Sequence, residues 1–439
     1  MSWIWIAIFL SVFINERSNG VEGKRGFGPG EQDWGHVKVR PGAHMFWWLY
    51  YANPPEKSGY FDAFSKPLVI WLQGGPGSPS TAYGNFEEIG PLDINLQRRN
   101  YTWVNDYNVL FIDNPVGTGF SYVENDSKLA TNNMEIAIDL LHCMLGFLNA
   151  IPQFQKVPTY ILAESYGGKM ATHFAFAWAS LQKKGVIKSN LKGIGLGDSW
   201  ISPVDSVLSY APYLYYTGMI NYADYGKIQN AAELTRSAIE SQNWENATER
   251  FYKTWKIIMN CTNNIDLYNL LERKVPFKKL HPKYLSGVRE ELRESDFEKK
   301  LNYLMNSKVK TALSLKNSFK IRSPQIKAKL NKDFMTPVTD FIEKILDQTN
   351  LKVFVYNGQL DVIVPTASTV AWLKKLKWKD AEKWRNSKRV DLTIDNSIEG
   401  YVQGYKNLKM FWINRAGHMV PKDNYYAANL MLKMLTSEE

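Results

Sequence analysis

Cysteine occurs only twice in the 439 residues, at Cys143 and Cys261, which excludes a disulfide-stapled scaffold. Cys143 lies inside "AIDLLHCMLGFL", which reads as a buried helix, so an inert core thiol is expected there rather than a Cys143–Cys261 bridge. Long apolar runs are also missing: past the first residues none reaches the ~18 uninterrupted apolar positions that a membrane span needs. No His-Glu-x-x-His spacing and no Gly-rich loop ending in Lys-Ser/Thr is present, so neither a metal nor a nucleotide cofactor is expected.

What is plentiful is apolar and aromatic surface, at 45% and 14% of residues, enough for one large core or two modest ones. The formal charge is +10, which raises nucleic acid or an acidic membrane as partners. Its distribution argues against both. Residues 272–333 hold 17 Lys and Arg against seven Asp and Glu, the whole excess of the chain. The bases there interleave with Leu, Val and Ile, as in "KVKTALSLKNSFKIR", the pattern of solvated helix faces. No nucleic acid partner is expected.

The first twenty residues hold an apolar run from Trp3 to Ile14, short for a span and of a length that fits a secretory leader cleaved near Gly20. The Gly-rich "SNGVEGKRGFGPGEQDWG" that follows is expected to be a flexible leader. Sequons at Asn100, Asn125, Asn246 and Asn260 permit glycosylation without arguing for secretion.

Six short apolar runs end in Gly or Asp: "KPLVIWLQGGPG", "NVLFIDNPVG", "TYILAESYGG", "LKGIGLGDSW", "LKVFVYNGQLD" and "LKMFWINRAGH". Each is rich in Val, Ile, Phe, Tyr or Trp and reads as a buried parallel strand, with helical patterns at 131–149 and 169–184 between them. Alternating strands and helices predict an α/β fold whose ligands gather at the carboxyl ends of the strands. From about Ser206 to Thr336 the strand signals vanish. The expected organisation is a leader at 1–20, a core at 21–205 and 337–439, and a helical lid inserted at 206–336.

"AESYGG" between a strand and a helix resembles a nucleophile elbow, with Ala163 where the common pattern has Gly. In that arrangement an acid and then a histidine must follow the serine in the chain. Of six histidines, His36, His44 and His142 precede Ser165, His173 sits in the next helix and His281 in the charged insertion. That leaves His418, just after a late apolar strand and a glycine. For the acid, Asp361 sits just past the penultimate predicted strand, where it can orient an imidazole from an adjacent loop. Asp198 in "GLGDSW" is its rival, and Asp361 is preferred.

"WLQGGPG", "FIDNPVGTGFSY", "ESYGG", "NGQLDVIVP" and "GHMVP" together resemble the serine carboxypeptidase family, most closely its retinoid-inducible branch, over roughly residues 34–434. The resemblance implies an α/β-hydrolase fold, mostly parallel, with a helical lid. It implies Ser165 as nucleophile, Asp361 as orienting acid and His418 as general base, with the N–H groups of Gly75 and Tyr166 as oxyanion hole. It further implies that Gln73, Glu88 and Glu164 hold the carboxylate of a peptide substrate with a free C-terminus. Gln73 stands where most of the family has Asn. A secreted or lysosomal location follows from the same resemblance. The alternatives are a binding or regulatory protein on this scaffold, and an esterase or acyltransferase using the same triad; the oligomeric state is open.

Overall fold

The computed structural model describes residues 24–54, 61–272 and 295–437. The expected leader at 1–20, His281 and part of the basic segment lie outside the described residues. A twelve-stranded sheet forms the centre. Its strands are β1 (Lys24–Arg25), β2 (Glu31–Arg40), β3 (Ala43–Tyr50), β4 (Leu68–Leu72), β5 (Asn108–Ile112), β6 (Tyr122–Val123), β7 (Thr159–Glu164), β8 (Leu191–Gly197), β9 (Lys352–Gly358), β10 (Arg389–Ile394), β11 (Ser397–Tyr405) and β12 (Leu408–Ile413).

The order is β1-β2-β3-β5-β4-β7-β8-β9-β12-β11-β10, with β6 paired to β3. From β5 to β12 every pairing is parallel, and these are the six runs read as strands in the sequence. Antiparallel strands extend both edges. Alternation within each run decides the layers: Leu68, Ile70 and Leu72 face one core, whereas Val69 and Trp71 face the other. Leu110 and Ile112 divide from Val109 and Phe111 in the same way. Helices α1 (Asn133–Ala150) and α2 (Tyr166–Lys183) line the first core, and the terminal helix Tyr425–Thr436 lines the second.

The Gly-rich leader reading needs correction beyond residue 23. Lys24–Arg25 and Glu31–Gly35 are strand, and the loop between them is pinned by the fully buried Gln32. That side chain accepts from the Phe27 N–H at 3.1 Å and Trp48 Nε1 at 2.9 Å, and donates to the Phe27 carbonyl at 3.2 Å. A buried amide with its bonding complete fixes what composition alone would leave loose.

Between β8 and β9 the described residues contribute helices and no strand of the sheet, including α3 (Pro203–Tyr216), α4 (Tyr222–Glu240), α5 (Trp244–Cys261) and α6 (Asp296–Leu304). In 308–322 helix persists only to Ala312. Val309, Leu313, Phe319 and Ile321 are buried while most of the lysines between them are exposed, so the basic residues there do form a solvated face. Both cysteines are free, Cys143 wholly buried in α1 and Cys261 partly buried at the end of α5. The sequon asparagines at 100, 125 and 260 are exposed.

Candidate active site

β7 is buried along its whole length, and the chain turns abruptly at Ser165. Ser165 has φ 60° and ψ −129°, a conformation that costs of order 1–3 kcal/mol outside glycine. Flanking hydrogen bonds hold it there: its N–H donates to the Gly197 carbonyl at 3.0 Å, and its carbonyl accepts from the Trp200 N–H at 2.9 Å. Serine at a helix N-cap ordinarily spends its hydroxyl on the first turn. Ser165 makes no such bond to α2, and it is the one residue between Thr159 and Met170 that is not buried. The turn therefore presents an uncommitted hydroxyl to solvent at the carboxyl end of a sheet strand.

The loop after β4 lies against this turn. A Cβ on Gly74 would come within 2.6 Å of Ser165 Cβ and 2.9 Å of the Tyr166 nitrogen, so only glycine permits the approach. Gly75 has φ 110°, which again favours glycine. Tyr166 opens α2, where the first N–H groups lack helical partners.

Asp361 and His418 follow β9 and β12, adjacent parallel strands. Oδ2 of Asp361 lies 2.7 Å from Nδ1 of His418, and Asp361 Oδ1 accepts from the Ile363 N–H at 2.7 Å. Both side chains are buried. The His418 N–H donates to the Tyr268 carbonyl at 2.7 Å, and the Tyr268 ring meets the imidazole edge-on at 5.1 Å. Asp198, the rival acid, sits at the end of β8, between the strands that carry Ser165 and Asp361.

A second carboxyl cluster lies beside the elbow. Gln73 Nε2 donates to Glu88 Oε1 at 3.1 Å and to Glu164 Oε1 at 2.9 Å, while Gln73 Oε1 accepts from Trp71 Nε1 at 2.6 Å. The amide's two N–H groups are thus both spent on the glutamates. Burial pushes the Glu88 carboxyl up to about 7 despite the hydrogen bond it shares with Glu164, and burial plus the Glu88 charge push Glu164 well above the usual range. One proton shared by the pair, resting on Glu164, is the state this geometry favours.

Two participants carried no sequence signal strong enough to single them out. Tyr268 belongs to the helical segment, where no motif marks it. Lys169 is fully buried in α2, donating to the carbonyls of Asp333 at 2.6 Å and Phe334 at 3.3 Å and pairing with Asp333 Oδ2 at 3.2 Å. Asp333 also accepts from the Tyr166 hydroxyl at 2.8 Å. A lysine amid "GGKMATHFAFAW" was the available hint of a buried cation.

A family model described as serine carboxypeptidase matches residues 23–438. The retinoid-inducible serine carboxypeptidases of Mus musculus and Homo sapiens are each 40% identical to this chain, covering 93% of it and 92% of their own length. Among solved structures, a prohormone-processing carboxypeptidase from Saccharomyces cerevisiae superposes with a TM-score of 0.78 at 20% identity, over 93% of this chain and 91% of that one, a likeness of fold.

Proposed function

The chain belongs to the serine carboxypeptidase family, an α/β-hydrolase fold, and from that premise we propose that it removes C-terminal residues from peptides through Ser165, His418 and Asp361. Ser165 carries the reading: a strained, solvent-facing serine whose hydroxyl is free of the helix it caps. Its Oγ attacks the carbonyl carbon of the last peptide bond, and the imidazole of His418 takes the hydroxyl proton. Asp361 holds Nδ1–H and so fixes the tautomer and stabilises the imidazolium. The N–H groups of Gly75 and Tyr166 receive the developing oxyanion. Collapse expels the C-terminal amino acid as its amine takes the proton from His418. Water, activated by the same imidazole, then attacks the acyl-enzyme and frees Ser165.

Exopeptidase selectivity rests on the glutamate pair. The proton held by Glu164 and Glu88 is the donor offered to a substrate carboxylate, and Gln73 orients the pair rather than reaching the substrate, because both of its N–H groups are occupied. The 206–336 segment acts as the lid of a core formed by 21–205 and 337–439, tied to the elbow by Asp333. Secretion is the favoured destination, with the lysosome as alternative; among the described residues no helix is long and apolar enough to cross a membrane.

A fluorophosphonate probe tests the nucleophile and a mixed peptide library, read by mass at the cut ends, tests the reaction. Covalent labelling at Ser165 and release of single C-terminal residues are expected. Folded protein that never labels would reduce the chain to a binding scaffold, and cleavage of esters but not of peptides would make it an esterase.

A further inference from the structure

Asp198 is fully buried, yet nothing in the reaction above uses it. Its backbone is strained, with φ 43°, and is held by its N–H donating to the Tyr356 carbonyl at 2.9 Å. Its Oδ1 accepts twice, from the Gly358 N–H at 2.8 Å and from Asn357 Nδ2 at 2.9 Å. The amide of Asn357 is itself locked, because its Oδ1 accepts from the Thr369 hydroxyl at 2.6 Å. Oδ2 of Asp198 meets no N–H or O–H donor of the described residues. A carboxyl oxygen of Asp198, one of Asp361 and a ring nitrogen of His418 lie within 4.8 Å of one another.

Two buried carboxyl groups this close cannot both be ionised. Asp361 has the stronger claim to the charge, since it holds His418, the group that becomes a cation in the transition state. We propose that Asp198 is a positioning residue, a neutral acid that carries its proton on Oδ2 and donates it to Asp361. This role rests on the triad proposed above. The other ionisable groups acting on Asp198 or feeling its charge, namely Asp423, Glu164 and Tyr356, are all acids, so none of them supplies a cation that would hold a second negative charge here. Burial and Asp361 together push the Asp198 carboxyl well above the usual range, in agreement.

The donated hydrogen bond has two effects of one sign. It keeps Asp361 ionised at lower pH, and it spreads the negative charge so that His418 gives up its proton more readily. Both extend activity toward acid. Removing the donor should therefore move the acid limb of kcat/KM upward by about one pH unit.

The test compares kcat and KM on a free-acid peptide across pH for wild type, Asp198→Asn, Asp198→Ala and Asp361→Asn. Asparagine reproduces the neutral acid, accepting through Oδ1 and donating through Nδ2, and should lose far less than alanine. Asp198→Ala should lose kcat by about ten- to hundredfold, the worth of one hydrogen bond to a charged group, with its acid limb raised. Loss in Asp198→Asn as deep as in Asp361→Asn would place the charge on Asp198 and overturn the proposal, as would an alanine variant with the wild-type limb and kcat. Should the alanine variant not fold, infrared spectra of wild type and Asp198→Asn decide. A protonated-carboxyl band lost in the variant supports the role, and an unchanged band refutes it. Fluorophosphonate labelling separates the layers: no label on wild-type Ser165 sinks the triad itself, whereas full-rate labelling of Asp198→Ala sinks only the role of Asp198.

Discussion

Nδ1 of His418 lies 2.7 Å from Oδ2 of Asp361, and the two side chains are sealed from solvent at 1% and 0% exposure. A pair this enclosed keeps its geometry and leaves the other ring nitrogen for chemistry. Asp361→Asn should cut kcat by about four orders of magnitude, because an amide can neither hold the catalytic tautomer nor stabilise the imidazolium. Stopped assays with active-site titration measure this, and activity within tenfold of wild type would move the acid elsewhere.

Ser165→Ala should abolish turnover while leaving the fold intact, with a loss on the order of 10^6 in kcat, as the handicap of a missing triad nucleophile in subtilisin suggests. His418→Ala should behave alike, and the double variant should lose little more, since the members act as a unit. Circular dichroism and kcat together check both halves. A double variant far worse than either single one would mean that the two residues act separately.

All six parallel strands were legible because buried strands read as continuous apolar runs, and the residues proposed as the triad, Ser165, Asp361 and His418, stand just past the ends of β7, β9 and β12. What stayed hidden depends on tertiary bonding. Gln32 fixes a Gly-rich loop through Trp48 and Phe27, contacts no local pattern announces. Asp198 looked like a competitor to Asp361, and only the pairing of β8 with β9 shows the two acids to be neighbours. Gln73 is expected as a substrate donor, and that both of its N–H groups rest on Glu88 and Glu164 is a pairing no local pattern announces.

The Lys169–Asp333 pair gives a stability prediction. Lys169 is fully buried, and breaking such a pair from one side leaves an uncompensated charge. Asp333→Asn should destabilise the protein by about 3–5 kcal/mol, more than Lys169→Met, which removes the stranded cation. Urea unfolding of the two variants ranks them, and equal midpoints would show that the pair is not coupled.

Stability should also follow pH with a definite sign. Glu88, at about 7, and Glu164 and Asp198, pushed well up by burial, all bind protons more tightly in the fold than in the unfolded chain. Their contribution is complete below the unfolded values near 4 and is lost as pH rises through the folded ones. His36, His142 and His173, lowered by burial, oppose this only as pH falls below about 6.5. The melting temperature should therefore be highest near pH 5 and fall by about 5 °C or more by pH 8. Combining Glu164→Gln with Asp198→Asn should flatten that decline, and a scan showing the same slope in wild type and variant would refute it.

The same proton governs substrate choice. If the glutamate pair reads the substrate terminus through the proton that Glu88 holds, preference for a free-acid peptide over its amide should be largest on the acid side and decay as Glu88 titrates near 7. A hydrogen bond to a charged group is worth about 1.5–3 kcal/mol, so the preference should shrink by about ten- to hundredfold in kcat/KM. General-base chemistry at His418 shapes the raw profile, but it acts on both peptides, so their ratio at each pH removes it. Glu164→Gln supplies a donor that cannot ionise and should keep part of the preference while making it flatter toward neutral pH. Gln73→Ala leaves the two glutamates without their shared amide, and it should weaken the preference at every pH. A ratio that stays constant with pH in wild type and in Glu164→Gln alike would show that the substrate carboxylate is not read by this proton.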